Sequence, residues 1–170
     1  MYSRHVFFAF VLSTFAFLCL YGCARPSHSL DADRQNCPIT QPPDRPFVAP
    51  ASYPSAGSGE FLCGTPALWA VVEREWQLHG FAGQKLPYFR QGYELKERPR
   101  LTVVARRLDG KAALVWNGLA GGGVDSSGAF MVTGIDIPSA GCWEIGAQYV
   151  DTSHDIHTVQ TLSYTVWVEP

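Results

Sequence analysis

Two segments near the C-terminus constrain this 170-residue chain more than anything else in it. In the first, Trp143, Ile145, Ala147 and Tyr149 alternate with Cys142, Glu144, Gly146 and Gln148. In the second, Leu162, Tyr164, Val166 and Val168 alternate with Thr161, Ser163, Thr165 and Trp167. Successive side chains of a strand point to opposite faces, so a period of two predicts strands with one buried and one wetter face. The pair reads as an antiparallel hairpin over Cys142–Val150 and Thr158–Val168 with a seven-residue connection. No other stretch carries a sustained helical period; a helical turn fits only within Trp69–Leu78.

Further short strands are predicted upstream. Leu68–Glu73 is apolar and β-favouring, Leu86–Tyr93 is rich in aromatics, and Leu101–Leu108 alternates cleanly before an Asp109-Gly110 turn. Ala112–Trp116 is a short apolar run, and Ala129–Ile135 is a strand closed by the turn Ile137–Gly141. Trp76–Gly83 reads as turn, Gly118–Gly128 is too rich in glycine and serine for a strand interior, and Arg106-Arg107 reads as a solvated strand edge. About seven short strands in roughly 110 residues predict an all-β protein, an immunoglobulin-like antiparallel β-sandwich, with a small barrel as the alternative.

Composition agrees. With 46% hydrophobic residues the chain has enough apolar surface to offset the entropy of ordering, which excludes disorder. Sixteen glycines and twelve prolines against 16% charged residues exclude a helical bundle. Thirteen basic and fifteen acidic residues give no electrostatic footprint for nucleic acid.

The N-terminus reads as a processing signal over residues 1–22. Arg4 precedes the apolar run Val6–Leu20, which falls short of the ~20 residues a spanning helix needs. Leu20-Tyr21-Gly22-Cys23 has the pattern of a bacterial lipobox, which would make Cys23 a lipidated first residue; ordinary cleavage after Ala24 is the other reading. Residues 23–58 then form a Pro-rich extension, with seven of the prolines between Ala24 and Ser58. It reads as a tether or as an arm wrapped on the domain at 59–170.

Export puts the cysteines where disulfides persist. Cys142 lies on the face of its strand opposite to Trp143 and Ile145, away from the predicted core. A staple to a segment crossing outside the sheet suits it, so Cys37–Cys142 is the first choice and Cys63–Cys142 the second. No pair is spaced as a zinc ribbon or a thioredoxin-like redox motif.

Several segments carry a resemblance. Asn36-Cys37-Pro38-Ile39-Thr40 precedes Pro42-Pro43, and Gly64-Thr65 precedes Leu68-Trp69. Lys85-Leu86 and Arg90-Gln91-Gly92-Tyr93 follow, then Leu101-Thr102-Val103 with Arg106-Arg107-Leu108-Asp109-Gly110. The longest is Ile137-Pro138-Ser139-Ala140-Gly141-Cys142-Trp143-Glu144-Ile145, and Val166-Trp167-Val168 completes the set. In this order they resemble an uncharacterised family of exported bacterial proteins, often lipoproteins, that end in a GCWE-type and a VVWV-type strand. The resemblance spans Asn36 to Val168 and implies an immunoglobulin-like fold, with no established activity to transfer. The chain departs from that pattern at Phe61-Leu62-Cys63, where an aromatic pair is usual, which marks Cys63 as the free thiol. It departs again at Asp151–His157, longer than the usual tight turn.

Chemistry is thinly signalled. Asp151, His154, Asp155 and His157 crowd one hairpin tip, and His154, Asp155 and His157 are weak candidates for a metal, though a loop does not aim two imidazoles at one ion as a helix would. There is no Gly-x-Ser-x-Gly elbow and no phosphate loop. Trp76, Tyr88, Phe89 and Tyr93 lie in or beside loops and Trp167 on the wetter face, where amphipathic rings contact sugars or protein partners. The first reading for most of them is core, since an all-β domain of this size needs large aromatics to fill it. The sequence therefore predicts a non-enzymatic module of the cell envelope, without catalytic residues or cofactor. It would be held at the membrane through a lipid on Cys23 and bind an envelope protein or glycan. The alternative is a metal-dependent hydrolase built on His154 and His157.

Overall fold

The computed structural model describes residues 30–73, 75–77, 84–95, 98–111, 114–116, 120–125, 128–152 and 158–170. Among them is one short helix, α1 (Leu30–Asn36), and ten strands in two five-stranded sheets. The first sheet runs, in spatial order, β1 (Glu60–Thr65), β2 (Leu68–Glu73), β4 (Gln84–Phe89), β8 (Gly128–Ile135) and β7 (Gly121–Asp125). The second runs β3 (Glu75–Gln77), β10 (Thr158–Glu169), β9 (Gly141–Asp151), β5 (Leu101–Arg107) and β6 (Val115–Trp116). Neighbours are antiparallel except β3, which lies parallel to β10.

The C-terminal hairpin forms as its alternation predicts, with Trp143 opposite Val166 and Ile145 opposite Tyr164. Trp143, Ile145, Ala147 and Tyr149 join Leu162, Tyr164, Val166 and Val168 in the main core. Phe61, Leu68, Ala70, Val72, Leu86, Tyr88, Met131 and Ile135 of the first sheet close it from the other side, giving a β-sandwich-like body. Tyr88 and Tyr164 meet hydroxyl to hydroxyl at 3.3 Å in its centre. Burial pushes both phenols well above their ordinary pKa, so the contact joins neutral groups and ties the two sheets together.

Three segments differ from the sequence reading. Glu60–Thr65, given no strand, is β1; with β2 it makes a hairpin that turns at Pro66-Ala67. Trp76-Gln77, the start of the stretch read as turn, belong to β3, paired with the end of β10. Gly121–Asp125, read as loop, is the edge strand β7. Its glycines reflect close packing: a Cβ at Gly123 would strike the Phe130 ring, and one at Gly122 would meet Tyr93 and Leu95. Arg106-Arg107, read as a solvated strand edge, lie on β5 beyond its last pairing with β6 at Ala105–Val115, and Arg106 is exposed. Arg106 pairs with Glu144 at 2.6 Å, and Arg107 pairs with Asp109 at 2.6 Å.

The Pro-rich segment holds two kinds of structure. Its first part forms α1, where Arg34 pairs with Glu169 at 2.7 Å. Cys37 is then bridged to Cys142, and Thr40 exchanges hydrogen bonds with Thr165 of β10. Further on, Phe47, Ala49, Tyr53 and Ala56 pack onto Leu62, Trp69 and Phe89 from the outer face of the first sheet. Trp69 stacks on Phe89 at 5.9 Å, and Tyr53 meets Trp69 edge-on at 5.0 Å. This is a second, smaller core.

The strongest sequence motif has a structural reading at the start of β9. Gly141 has φ +133°, and a Cβ there would meet the Asp109 carboxylate at 2.7 Å. The Cys142 amide donates to Asp109 Oδ2 at 2.9 Å, and the Leu108 amide donates to the Cys142 carbonyl at 2.8 Å. Arg107 donates to Ser139 Oγ at 3.0 Å, and Trp143 Nε1 donates to the Ser139 carbonyl at 3.0 Å. The RRLDG and PSAGCWE segments are thus two halves of one joint.

Gly64 carries a testable constraint. It adopts φ +127° opposite Trp69, and a Cβ would run into the Leu68 carbonyl and come within 2.8 Å of Trp69 Cα. Backbone cannot step aside as a flexible side chain does. Gly64→Ala should cost about 2–3 kcal/mol through the positive φ and the clash together. Urea unfolding checks it; a loss under about 0.5 kcal/mol would show that the hairpin accommodates the methyl group.

Candidate functional site

The β4–β5 connection and the end of β9 meet at one end of the sandwich. The chain leaves β4 at Arg90 and reaches β5 through Arg100, while β9 ends at Asp151 beside it. The Val150 amide donates to the Arg100 carbonyl at 3.0 Å, which fastens the two segments together. Between them lies a half-open pocket of about 530 Å³. Its chemistry comes from Arg90, Tyr93, Arg98, Arg100, Tyr149 and Asp151, with Glu94 at the rim.

Arg90 is the fixed centre of this wall. Its guanidinium pairs with Asp151 at 2.6 Å, meets the Tyr149 hydroxyl at 3.3 Å and lies 5.4 Å from the centre of the Tyr149 ring. Burial alone would lower its pKa, but the Tyr149 hydroxyl and the Asp151 carboxylate outweigh that and hold it above its ordinary value. Asp151 is 8% exposed, so its charge depends on this partner.

The Pro-rich segment supports the same wall from behind. The Tyr53 hydroxyl donates to the Arg90 carbonyl at 2.9 Å and accepts from the Gly92 amide at 3.2 Å. Gly92 has φ +74°, a conformation that suits glycine at this tight turn. The Gln91 amide donates to the Pro66 carbonyl at 2.8 Å, tying the turn to the β1–β2 hairpin as well.

Arg98 and Arg100 differ from Arg90. Both are exposed, and neither has a carboxylate partner among the described residues. Arg98 is held by its Nε, which donates to the Ala120 carbonyl at 3.2 Å. Among the described residues the pocket thus sets three guanidinium groups against two carboxylates.

Of the residues singled out from sequence, Tyr93 lines this pocket. Tyr88, Phe89, Tyr93 and Trp167 are all buried, none more than 9% exposed. Tyr88 belongs to the main core, and Phe89 lies under the Pro-rich segment. Trp167 is on the outer face of β10 as its register predicts, but is 1% exposed. A period of two separates the faces of a strand and says nothing of what later covers the second one. Trp76 lies in β3. Among the described residues the aromatic ring that does face solvent is Trp116 on the edge strand β6, at 61% exposure; Leu114 and Val124 are exposed as well.

Cys37 and Cys142 form the disulfide, and Cys63 is a free, half-buried thiol whose pKa burial raises. Cys23, the signal segment, and His154, Asp155 and His157 lie outside the described residues. Among the described residues no three His, Cys, Asp or Glu side chains cluster closely enough to hold a metal, and no helix is long and apolar enough to cross a membrane. Sequence reasoning missed Arg90, Arg98, Arg100 and Asp151 as one site. The signal available was three arginines within eleven residues of a predicted connection. No family model, curated protein or solved structure matches this chain.

Proposed function

We propose that this protein is a non-enzymatic binding module of the cell envelope, exported and held at the membrane through a lipid on Cys23. An immunoglobulin-like sandwich presents the Arg90–Asp151 pocket to its partner. The strand order supports the fold: β2–β4–β8–β7 against β10–β9–β5–β6 follows the order A–B–E–D against G–F–C–C′. Trp143, at the start of the strand equivalent to F, bonds back to Ser139 much as a corner tyrosine does in such domains. The Cys37–Cys142 bridge is consistent with an oxidising compartment.

One observation carries the binding role. The pocket opens between the β4–β5 connection, which corresponds to B–C, and the end of β9, which corresponds to F, at the end where variable domains carry their binding loops. This is an argument from fold, joined to a site with its own charge and volume.

A benzophenone side chain in place of Gln91, beside the pocket, should crosslink a discrete partner in native envelopes. The same group in place of Lys111, at the far end, should not. Equal adducts from both positions, or adducts from Lys111 alone, would move the binding surface elsewhere. Mass analysis of the same material should find acyl chains on an N-terminal Cys23; an unmodified N-terminus after Ala24 would make the module a soluble one.

A further inference from the structure

We infer that the pocket recognises a singly charged carboxylate, that of a peptide C-terminus, with Arg98 and Arg100 as the recognising residues and Arg90 as a positioning residue. The inference rests on the loop-end pocket being the binding site. Charge gives the first step. Asp151 is matched by Arg90 at 2.6 Å, so the pair is internally neutral and Arg90 is spent on its own wall. Among the described residues that line the pocket, Arg98 and Arg100 then stand against Glu94, which leaves one positive charge in excess. A monoanion balances that excess, whereas a phosphomonoester, at about −1.5 to −2, would overfill it.

Donor geometry gives the second step. A guanidinium presents a planar fork of N–H groups that matches a carboxylate, and such charge-assisted bonds are roughly twice as strong as neutral ones. Arg98 is already anchored through Nε to the Ala120 carbonyl, so less side-chain freedom is lost when its other nitrogens engage a ligand. Arg100 is fixed at its backbone by the Val150 amide. Both side chains are exposed, so their charges are reachable from solution.

Ring burial decides between a peptide and an acidic sugar. A pyranose binds best on an open aromatic face. Tyr93 and Tyr149 are 9% and 7% exposed, and Arg90 already lies over the Tyr149 ring. Pro99 and Val150 supply apolar wall instead, which suits the side chain of a terminal residue. The free volume of about 530 Å³ admits two or three residues at the end of a chain, and lies within the common range for ligand sites.

The test uses the disulfide-bonded mature protein in ¹⁵N NMR titrations with three probes: acetyl-Ala-Val with a free carboxylate, its C-terminal amide, and methyl glucuronide. The free-acid peptide should shift the Arg98 and Arg100 side-chain signals saturably, and its amide should not. R98Q and R100Q together should weaken binding about tenfold or more, while the backbone spectrum away from the pocket stays unchanged. Equal response to acid and amide, or no saturable shift with any probe, overturns the inference. Saturation by the glucuronide alone overturns it in favour of an acidic sugar. If the Gln91 crosslinks form while the carboxylate is ignored, the ligand class is wrong and the binding site stands; if neither appears, both readings fall.

Discussion

Replacing Trp143 with alanine is expected to remove about 3–5 kcal/mol of stability, enough to unfold much of a marginally stable domain. The indole is fully buried and belongs to the main core, where it lies in β9 between β10 and β5. Its removal leaves a cavity the neighbouring strands cannot collapse into, because their own register is fixed along the whole hairpin. It also strips the Ser139 carbonyl of its 3.0 Å donor. Trp143→Phe separates the two effects. Phenylalanine keeps most of the apolar contact and loses the N–H, so it should cost about 1–3 kcal/mol, mainly from the unsatisfied carbonyl and the smaller ring. Urea midpoints at unchanged slope measure both. An alanine variant within about 1 kcal/mol of the parent would mean that the joint between Arg107, Asp109 and Ser139 holds β9 without the indole.

That joint marks how far the sequence could be read. The faces of β9 and β10 follow from alternation, because both faces of these strands differ in polarity and a shift of one residue would bury Glu144 and Gln148. The outward direction of Cys142 follows from the same period, and its bridge to Cys37 is the one that direction favours. What failed has a common cause in non-local packing. Phe89 and Trp167 stand on faces opposite the main core, and their burial is decided elsewhere: Phe47 and Tyr53, more than thirty residues before Phe89, cover its ring. β7 was illegible because its glycines signal a loop when read alone, and a close-packed edge only when Phe130, Tyr93 and Leu95 are in place. The pocket was hidden for the same reason. Arg90 and Asp151 are 61 residues apart in sequence, and only the strand order brings them to 2.6 Å.

Removing the Cys37–Cys142 bridge, as C37A/C142A, is expected to cost about 2–5 kcal/mol. The bridge closes a separation of 105 residues, which in the chain-entropy model puts its effect near the top of the range for a single disulfide. The native state loses something as well. The bridge sits between α1 and the Thr40–Thr165 contact, so without it Arg34–Glu169 and that contact are left among the holds that keep the start of the Pro-rich segment on β10. The Arg34–Glu169 pair is partly exposed and adds little to stability. The second hold on the segment, Phe47 and Tyr53 on Trp69, is independent of the sulfur atoms and should survive. Hydrogen exchange of the double variant should therefore show loss of protection around Thr165, while the Gly92 amide, bonded to Tyr53, keeps most of its own beyond the global change. A urea midpoint unchanged from the oxidised parent would place the stabilising effect of this segment in its aromatic residues alone. Equal loss of protection at Thr165 and Gly92 would instead show that the segment is held or released as one piece, and that the disulfide governs the wall of the pocket through Tyr53.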